Sequence, residues 1–394
     1  MSSSPTATKS PVGWDQDPVV RRTPRRAPLA ENLRADVCVI GLGGSGLAAV
    51  GELIRRGLSV VGVDAGRVAA GAAGRNGGFL IAGSAIAIHE AGRGWGLAAA
   101  LDLYRQTLTE IGALAELLGP EVVRRVGSIR LAGLPGEPTS QAEQEDRKLE
   151  LADCDEQFEL LRAHGIAVER YDGPLGQGLF LPDDAAMNPA RRALGLAELY
   201  AGSARLFEDS PVTEIRTGLV STEAGSVAAG LIVVAVDGKL EMLLPELAGR
   251  VRTARLQMLA TEPVSPGRLP CPVYGRWGYD YAQQDVAGRI FIGGGRDRFV
   301  EQEWTTDGSP SAGIQQWLDQ SVVRFAGAPV RVTHRWAASV GYTPDARPLV
   351  TEARPGVIAC GGYSGTGNLV GPIAARAAVA LGMDGTQPAD YFAS

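Results

Sequence analysis

The run Ala35-Asp36-Val37-Cys38-Val39-Ile40-Gly41-Leu42-Gly43-Gly44-Ser45-Gly46 sets an unbroken apolar strand pattern directly against a Gly-x-Gly-x-x-Gly turn. Asp64 closes the next apolar segment. Val37, Cys38, Val39 and Ile40 leave no polar break, as expected of a parallel strand covered on both faces by helices. From Leu47 the apolar residues Leu47, Val50, Leu53 and Ile54 recur at helical spacing up to Gly57, where a C-terminal cap belongs. A second strand over 59–63 then leads into Asp64. Gly41 permits the tight turn, Gly43 lets the main chain approach a diphosphate, and Gly46 lets helix and strand pack closely. Asp64, 23 residues after Gly41, is placed to accept from the hydroxyls of an adenosine ribose. Gly44, Ser45 and Ala65 belong to the same expected contact surface. A glycine turn without the strand and the acid would carry no such meaning.

At 394 residues the chain exceeds what one core holds comfortably, so two domains are expected. Its 45% hydrophobic and 21% charged content is that of an ordinary globular protein. A net charge of −6 argues against nucleic acid as the main partner. No apolar run approaches the roughly 20 residues of a membrane helix, and a soluble protein with no membrane span is expected. The first 34 residues carry Arg21, Arg22, Arg25 and Arg26 but no apolar core of a signal peptide, and Thr23-Pro24 after the arginines excludes a twin-arginine signal. They are expected to lie over the surface as a partly ordered arm. Cys38, Cys154, Cys271 and Cys360 are scattered, so neither disulfides nor a metal site is expected and a cytoplasmic location fits.

No internal repeat appears. Helices are expected over 97–118 and 141–164, with a strand over 127–132 opening a second domain. Asn188-Pro189 supplies an N-cap and a first-turn proline for a helix to Tyr200. Strands at 204–207, 211–216 and 231–236 return to the first domain. Long alternating strands follow at 251–262, 276–281, 289–293 and 329–336, with a turn over 285–288 and a helix over 311–325. A last parallel strand at 355–360 runs into Gly361-Gly362-Tyr363-Ser364-Gly365-Thr366-Gly367, which opens a helix to Leu381. The fold class is therefore α/β, with a Rossmann-like, mostly parallel domain drawn from 35–88, 177–242 and 337–394. An α+β substrate domain with a large antiparallel or mixed sheet takes 89–176 and 243–336, after an arm over 1–34.

The segment 68–78, crowded with Gly and Ala, suits neither helix nor strand and can lie close against something flat. Gly-x-Gly-x-x-Gly, then Asp64, then Gly74-Arg75-Asn76-Gly77-Gly78 resembles the N-terminal half of the D-amino-acid oxidase superfamily of FAD enzymes, including glycine, sarcosine and gamma-glutamylputrescine oxidases. The likeness to the last group takes in Trp14 and the proline-containing lead, and the resemblance runs to about Ala378. It implies non-covalent FAD, with Val212 meeting the adenine through its backbone and the run 232–235, ending at Ala235, beneath the dinucleotide. It further implies that Gly362, Gly365, Thr366, Gly367, Asn368 and Leu369 face the pyrimidine edge of the isoalloxazine. Free N–H groups and a helix dipole there favour the negative charge of the reduced ring.

The implied reaction is oxidation of the C–N bond of a small-molecule amine or amino acid, with hydride passing to flavin N5 and the imine then hydrolysed. Oxygen or another acceptor reoxidises the flavin. Such chemistry needs a neutral amine, placement and a dry site rather than a side-chain triad, and His89, His164 and His334 are assigned to structure. Family members hold a substrate carboxylate with an arginine or a lysine at positions that here are Val340 and Leu369, so both usual anchors are absent. Tyr279 and Tyr281, expected on one strand face, line the pocket with Arg296 and Tyr363, and Arg276 and Arg296 offer replacement charge. Ala338 stands where some members attach FAD through cysteine. An apolar residue near Phe291 replaces an oxygen-reactive lysine, leaving oxidase and dehydrogenase both open. The alternatives are a nicotinamide-dependent dehydrogenase, which gives 75–78 and the final turn no role, and a flavin-binding protein without catalysis.

Overall fold

The computed structural model describes residues 12–393. β1 (Asn32–Ile40) runs into the glycine turn, α1 (Gly44–Arg55) follows, and β2 (Val60–Val63) lies parallel to β1. On the other flank β3 (Ser226–Val234) pairs with β1 in parallel along its whole length. Alternate residues of β1 enter different cores. Val37 and Val39 pack with Leu47, Val50 and Leu53, whereas Cys38 and Ile40 pack with Leu240 and Leu244. Both faces are thus covered, which is why the strand shows no polar alternation. β1 begins three residues before the expected 35, because Asn32 to Arg34 pair with Ser226 to Ala228 outside the apolar run.

The second sheet is mixed and has eight strands. β4 (Arg252–Pro263) pairs antiparallel with β5 (Val332–Tyr342), and Arg289–Gly293, Asp280–Gln284 and Val273–Gly275 follow in order. Val273–Gly275 then lies parallel to Ser128–Leu131, before Gly176–Leu181 and Glu169–Gly173. Changes of sheet therefore fall beyond the expected 177 and 337: the strand Gly176–Leu181 and all of β5 belong to this sheet. Helices Leu97–Leu118, Gln141–Ala163, Pro189–Tyr200 and Ala312–Ala326 form where the apolar spacing placed them, the third capped by the Asn188 side chain.

The chain ends by returning to the first sheet. β6 (Val357–Gly361) pairs in parallel with β3, and α2 (Val370–Asp384) packs beside α1. Two stretches depart from expectation. The segment 68–78 contains one helical turn, Ala72–Arg75. The expected strand over 276–281 is broken, since Arg276 and Trp277 take φ of 50° and 53° in a 3-10 turn and strand geometry begins only at Asp280.

The expected surface arm is also corrected, while residues 1–11 of it lie outside the described residues. Trp14 is buried, its ring stacked on Phe291 at 3.5 Å and 3°. No helix among the described residues is long and apolar enough to cross a membrane. All four cysteines are free and buried.

Candidate active site

At the end of β1, Gly41 adopts φ +92°, and a Cβ there would sit 2.7 Å from the Ala235 carbonyl oxygen. A Cβ on Gly46 would collide with the Gly41 carbonyl oxygen, so turn, helix and β3 meet at van der Waals limits. α1 has no side-chain cap, which leaves the first-turn N–H groups around Gly43, Gly44 and Ser45 without intrahelical acceptors. Asp64 fastens the turn: Leu42 N–H donates to Oδ2 at 2.7 Å and Gly66 N–H to Oδ1 at 2.9 Å. Ala65 is exposed just beyond it. Ser210 N–H donates to the Asp64 carbonyl at 2.8 Å, which brings the segment leading to Val212 alongside.

The Gly-Arg-Asn-Gly-Gly loop is braced from below. Trp336 Nε1 donates to the Arg75 carbonyl at 2.7 Å and Trp14 Nε1 to the Asn76 carbonyl at 2.9 Å. The Arg75 guanidinium is buried, donates to the Ala337 carbonyl at 2.9 Å, and has its pKa lowered by that burial. Asn76 and Asn368 exchange side-chain amide hydrogen bonds, and Asn368 also donates to the Phe79 carbonyl at 2.8 Å. A Cβ on Gly43 would lie 3.3 Å from Ala73, so the first glycine turn abuts the same loop. Gly74 and Gly78 are cradled too: a Cβ on either would strike a main-chain carbonyl, of Ala69 or of Met187.

At the second turn Thr366 N–H and Oγ1 both bond to the Tyr363 carbonyl, which curls the chain into α2. Among the described residues the N–H groups of Gly365, Gly367 and Asn368 find no acceptor. Asp237 holds the turn to the second sheet, accepting from Tyr363 N–H at 3.1 Å and Gly341 N–H at 3.2 Å. The residue keeps some exposure, but its carboxyl sits among packed backbone. That burial pushes its pKa up to about 6 against the opposing pull of these N–H donors.

A cavity of about 1360 Å³ separates the two sheets. Arg75, Asn76 and Gly77 line one side, and Gly365, Thr366, Asn368 and Leu369 another. Tyr279, Tyr281 and Arg296 stand on the wall formed by the second sheet. Tyr281 packs its ring over Gly77 and edge-on to Phe79 at 5.6 Å. Tyr279 does not share its strand face. It follows the 3-10 turn and is 45% exposed at the rim. Arg276 is no free charge either, being bound by Asp280 and Asp297. Tyr363, expected in the pocket, is buried in the core beneath the turn and packs against Gly367 and Gly371. Gly41 to Gly46, Asp64, Val212, Ala235 and Gly362 lie outside the cavity lining. Trp304 and Tyr342 line the cavity and escaped the sequence reading, because nothing periodic marks them.

Elsewhere, His89, Glu90 and Asp153 gather within 4.8 Å, but His89 Nε2 and Arg130 already engage the Asp153 carboxylate.

A parallel-rich sheet carrying a glycine turn, set across one cavity from a second, mixed sheet, defines an FAD-binding flavoprotein fold. The chain belongs to the FAD dependent oxidoreductase (DAO) family, whose model spans residues 36–381. It is 28% identical over 354 residues to a probable oxidoreductase OrdL of Rhizobium meliloti, covering 85% of this chain and 79% of that protein. It is 26% identical over 389 residues to gamma-glutamylputrescine oxidoreductase of Escherichia coli, covering 93% and 88%. The fold is shared with glycine oxidase from Geobacillus kaustophilus, with a TM-score of 0.71 and 21% identity over 91% of this chain and 96% of that one.

Proposed function

We propose that this FAD-dependent oxidoreductase oxidises the C–N bond of a small amine or amino acid, with oxygen or another acceptor taking the electrons onward. The observation that carries this reading is the amide exchange between Asn76 and Asn368, which makes one wall from the two glycine-rich loops and sets it opposite Tyr281 and Arg296. The residues fit the cofactor in a second respect. Gly365, Gly367 and Asn368 present unspent N–H donors at the start of α2, a donor set suited to the anionic edge of a reduced flavin. FAD supplies hydride acceptance, which the side chains of the chain do not offer.

In this reading the first-turn N–H groups of α1 hold the diphosphate, Asp64 the ribose, and Val212 with Ala235 the adenine end. Arg75 to Gly78 back the ring, and Gly362 to Leu369 face its pyrimidine edge. Tyr281, walled in by Phe79 and with its hydroxyl pKa raised by burial, stays neutral and keeps the reacting side dry. The names of the relatives support an amine: gamma-glutamylputrescine and glycine both carry amino nitrogen.

The test is anaerobic addition of an amine panel to the yellow holoenzyme. Bleaching of the oxidised-flavin band by at least one amine is the expected result. A panel that leaves the band untouched, in protein carrying stoichiometric flavin, would sink the reading.

A further inference from the structure

The cavity holds a row of cations and rings that amine oxidation alone leaves without a purpose. Arg252 lies over the Trp304 ring at 4.2 Å, and Arg296 over the same ring at 4.3 Å. Arg296 also lies over Tyr342 at 4.4 Å, and the two rings meet edge to face at 5.6 Å. All four residues line the cavity. Arg252 is exposed, whereas the other end of the row reaches the second glycine turn through the backbone bridge between Tyr342 and Tyr363. The row therefore leads from the mouth towards the place assigned to the flavin.

Its two cations lack counter-charges. Among the described residues neither Arg252 nor Arg296 forms an ion pair or a side-chain hydrogen bond, and Arg296 keeps Nε and Nη2 buried without acceptors. Other arginines of the cavity are satisfied: Arg130 by Asp153, and Arg255 by Glu303 and Asp307. The nearby acids have partners of their own, although among the described residues one oxygen each of Asp297 and Glu241 is left without an acceptor role. Glu303 serves Arg255 and Gln257, Asp345 serves Arg347, Asp297 serves Arg276, and Glu241 accepts from Thr253. Rings attract a cation but do not neutralise it, so two guanidiniums gathered on one indole repel until an anion arrives. Val340 and Leu369 line the same cavity and offer it no charge.

We propose that Arg296, with Arg252 at the mouth, binds a carboxylate that the amine substrate carries away from its reacting carbon. A planar oxyanion suits a guanidinium fork held flat by rings. The substrate class is thus an amine with an anionic tail, an inference that rests on the C–N oxidation reading above.

The experiment compares, anaerobically in the holoenzyme, ω-amino acids of increasing length with alkylamines of equal length, reading reduction rate over Kd. At four or more methylenes the carboxylated member should lead by at least tenfold, whereas glycine should gain little over methylamine. Arg296→Met should cut that lead at least tenfold, and Arg296→Lys should restore part of it. Arg252→Met, at an exposed position, should flatten the salt dependence of binding the carboxylated series. Equal rates for both series, or a lead that survives Arg296→Met, would overturn the proposal. If no amine bleaches the flavin, the oxidation reading fails separately. Displacement of the flavin spectrum by glutarate, lost in Arg296→Met, would then still support the anion site, and no displacement would refute it.

Discussion

Asn76 and Asn368, 292 residues apart, exchange two side-chain hydrogen bonds of 3.1 and 3.0 Å. Asn76 also holds its own loop by accepting from Gly78 N–H at 2.7 Å, whereas Asn368 reaches across a second time to the Phe79 carbonyl at 2.8 Å. A double-mutant cycle with Asn76→Ala and Asn368→Ala is expected to show coupling of about 1 kcal/mol in FAD binding. Strictly additive losses in a fluorescence titration of apoprotein with FAD would mean that the two loops act separately.

Gly43 is intermediate in exposure, and its missing Cβ faces Ala73 at 3.3 Å. Gly43→Val should yield folded protein without flavin, because the branched side chain fills the approach to the first-turn N–H groups. The ratio of flavin to protein absorbance decides it, and stoichiometric yellow protein from this variant would contradict the diphosphate assignment.

Asp64 accepts from Leu42 N–H and Gly66 N–H, so its loss should be felt even without cofactor. Asp64→Ala is expected to cost the apoprotein about 1–3 kcal/mol and to cost the holoprotein more, the excess being the ribose contact. Paired melting curves give the answer. Identical losses in the two forms would restrict the acid to holding the turn.

Asp184 is 1% exposed, accepts from Ser128 Oγ at 2.6 Å and Ala82 N–H at 2.8 Å, and is pushed up to about 7 by burial. Its folded pKa lies above the unfolded value of 3.8, so the contribution is fully present below about 4 and is lost as pH rises through 7. Asp184→Asn mimics the protonated acid, donating to Ser128 and accepting from Ala82. It should remove most of this slope and stabilise the protein at pH 8 by on the order of 2 kcal/mol. Denaturant midpoints at pH 5 and pH 8 test this, and parallel pH profiles for both proteins would rule it out.

Trp14 stacks on Phe291 and donates to the Asn76 carbonyl. Trp14→Ala is expected to cost about 3–5 kcal/mol and to speed FAD release, since the brace beneath the loop is removed. Trp14→Phe should recover the packing but not the hydrogen bond. Dilution-jump loss of flavin would separate the two contributions.

What was legible in the sequence is what local chemistry enforces. Gly41 and Gly46 sit where a Cβ would strike a carbonyl oxygen, Asn188 caps its helix, and both are written into consecutive residues. The 3-10 turn at Arg276 and Trp277 was not legible, because left-handed backbone at non-glycine residues leaves no composition signal and the alternation imitated a strand. Trp14 belongs to a 3-10 turn too short to show a period, and its partner Phe291 lies far along the chain in the mixed sheet. Tyr363 was misplaced for a related reason: adjacency to a glycine turn does not say which side of the backbone a ring takes. The row from Arg252 to Tyr342 exists only once β4, the 3-10 turn before Val300 and β5 are folded together.

β6 is the last strand made and closes one flank of β3, the strand beside the glycine turn of β1. A polypeptide halted before Val357 leaves Ile232 to Val234 without their partner on that flank and has no second loop for Asn76 to meet. The wall that Asn76 and Asn368 share is therefore completed only once the stretch through Asn368 has been synthesised, so a shortened product lacks it however well its first strands have paired.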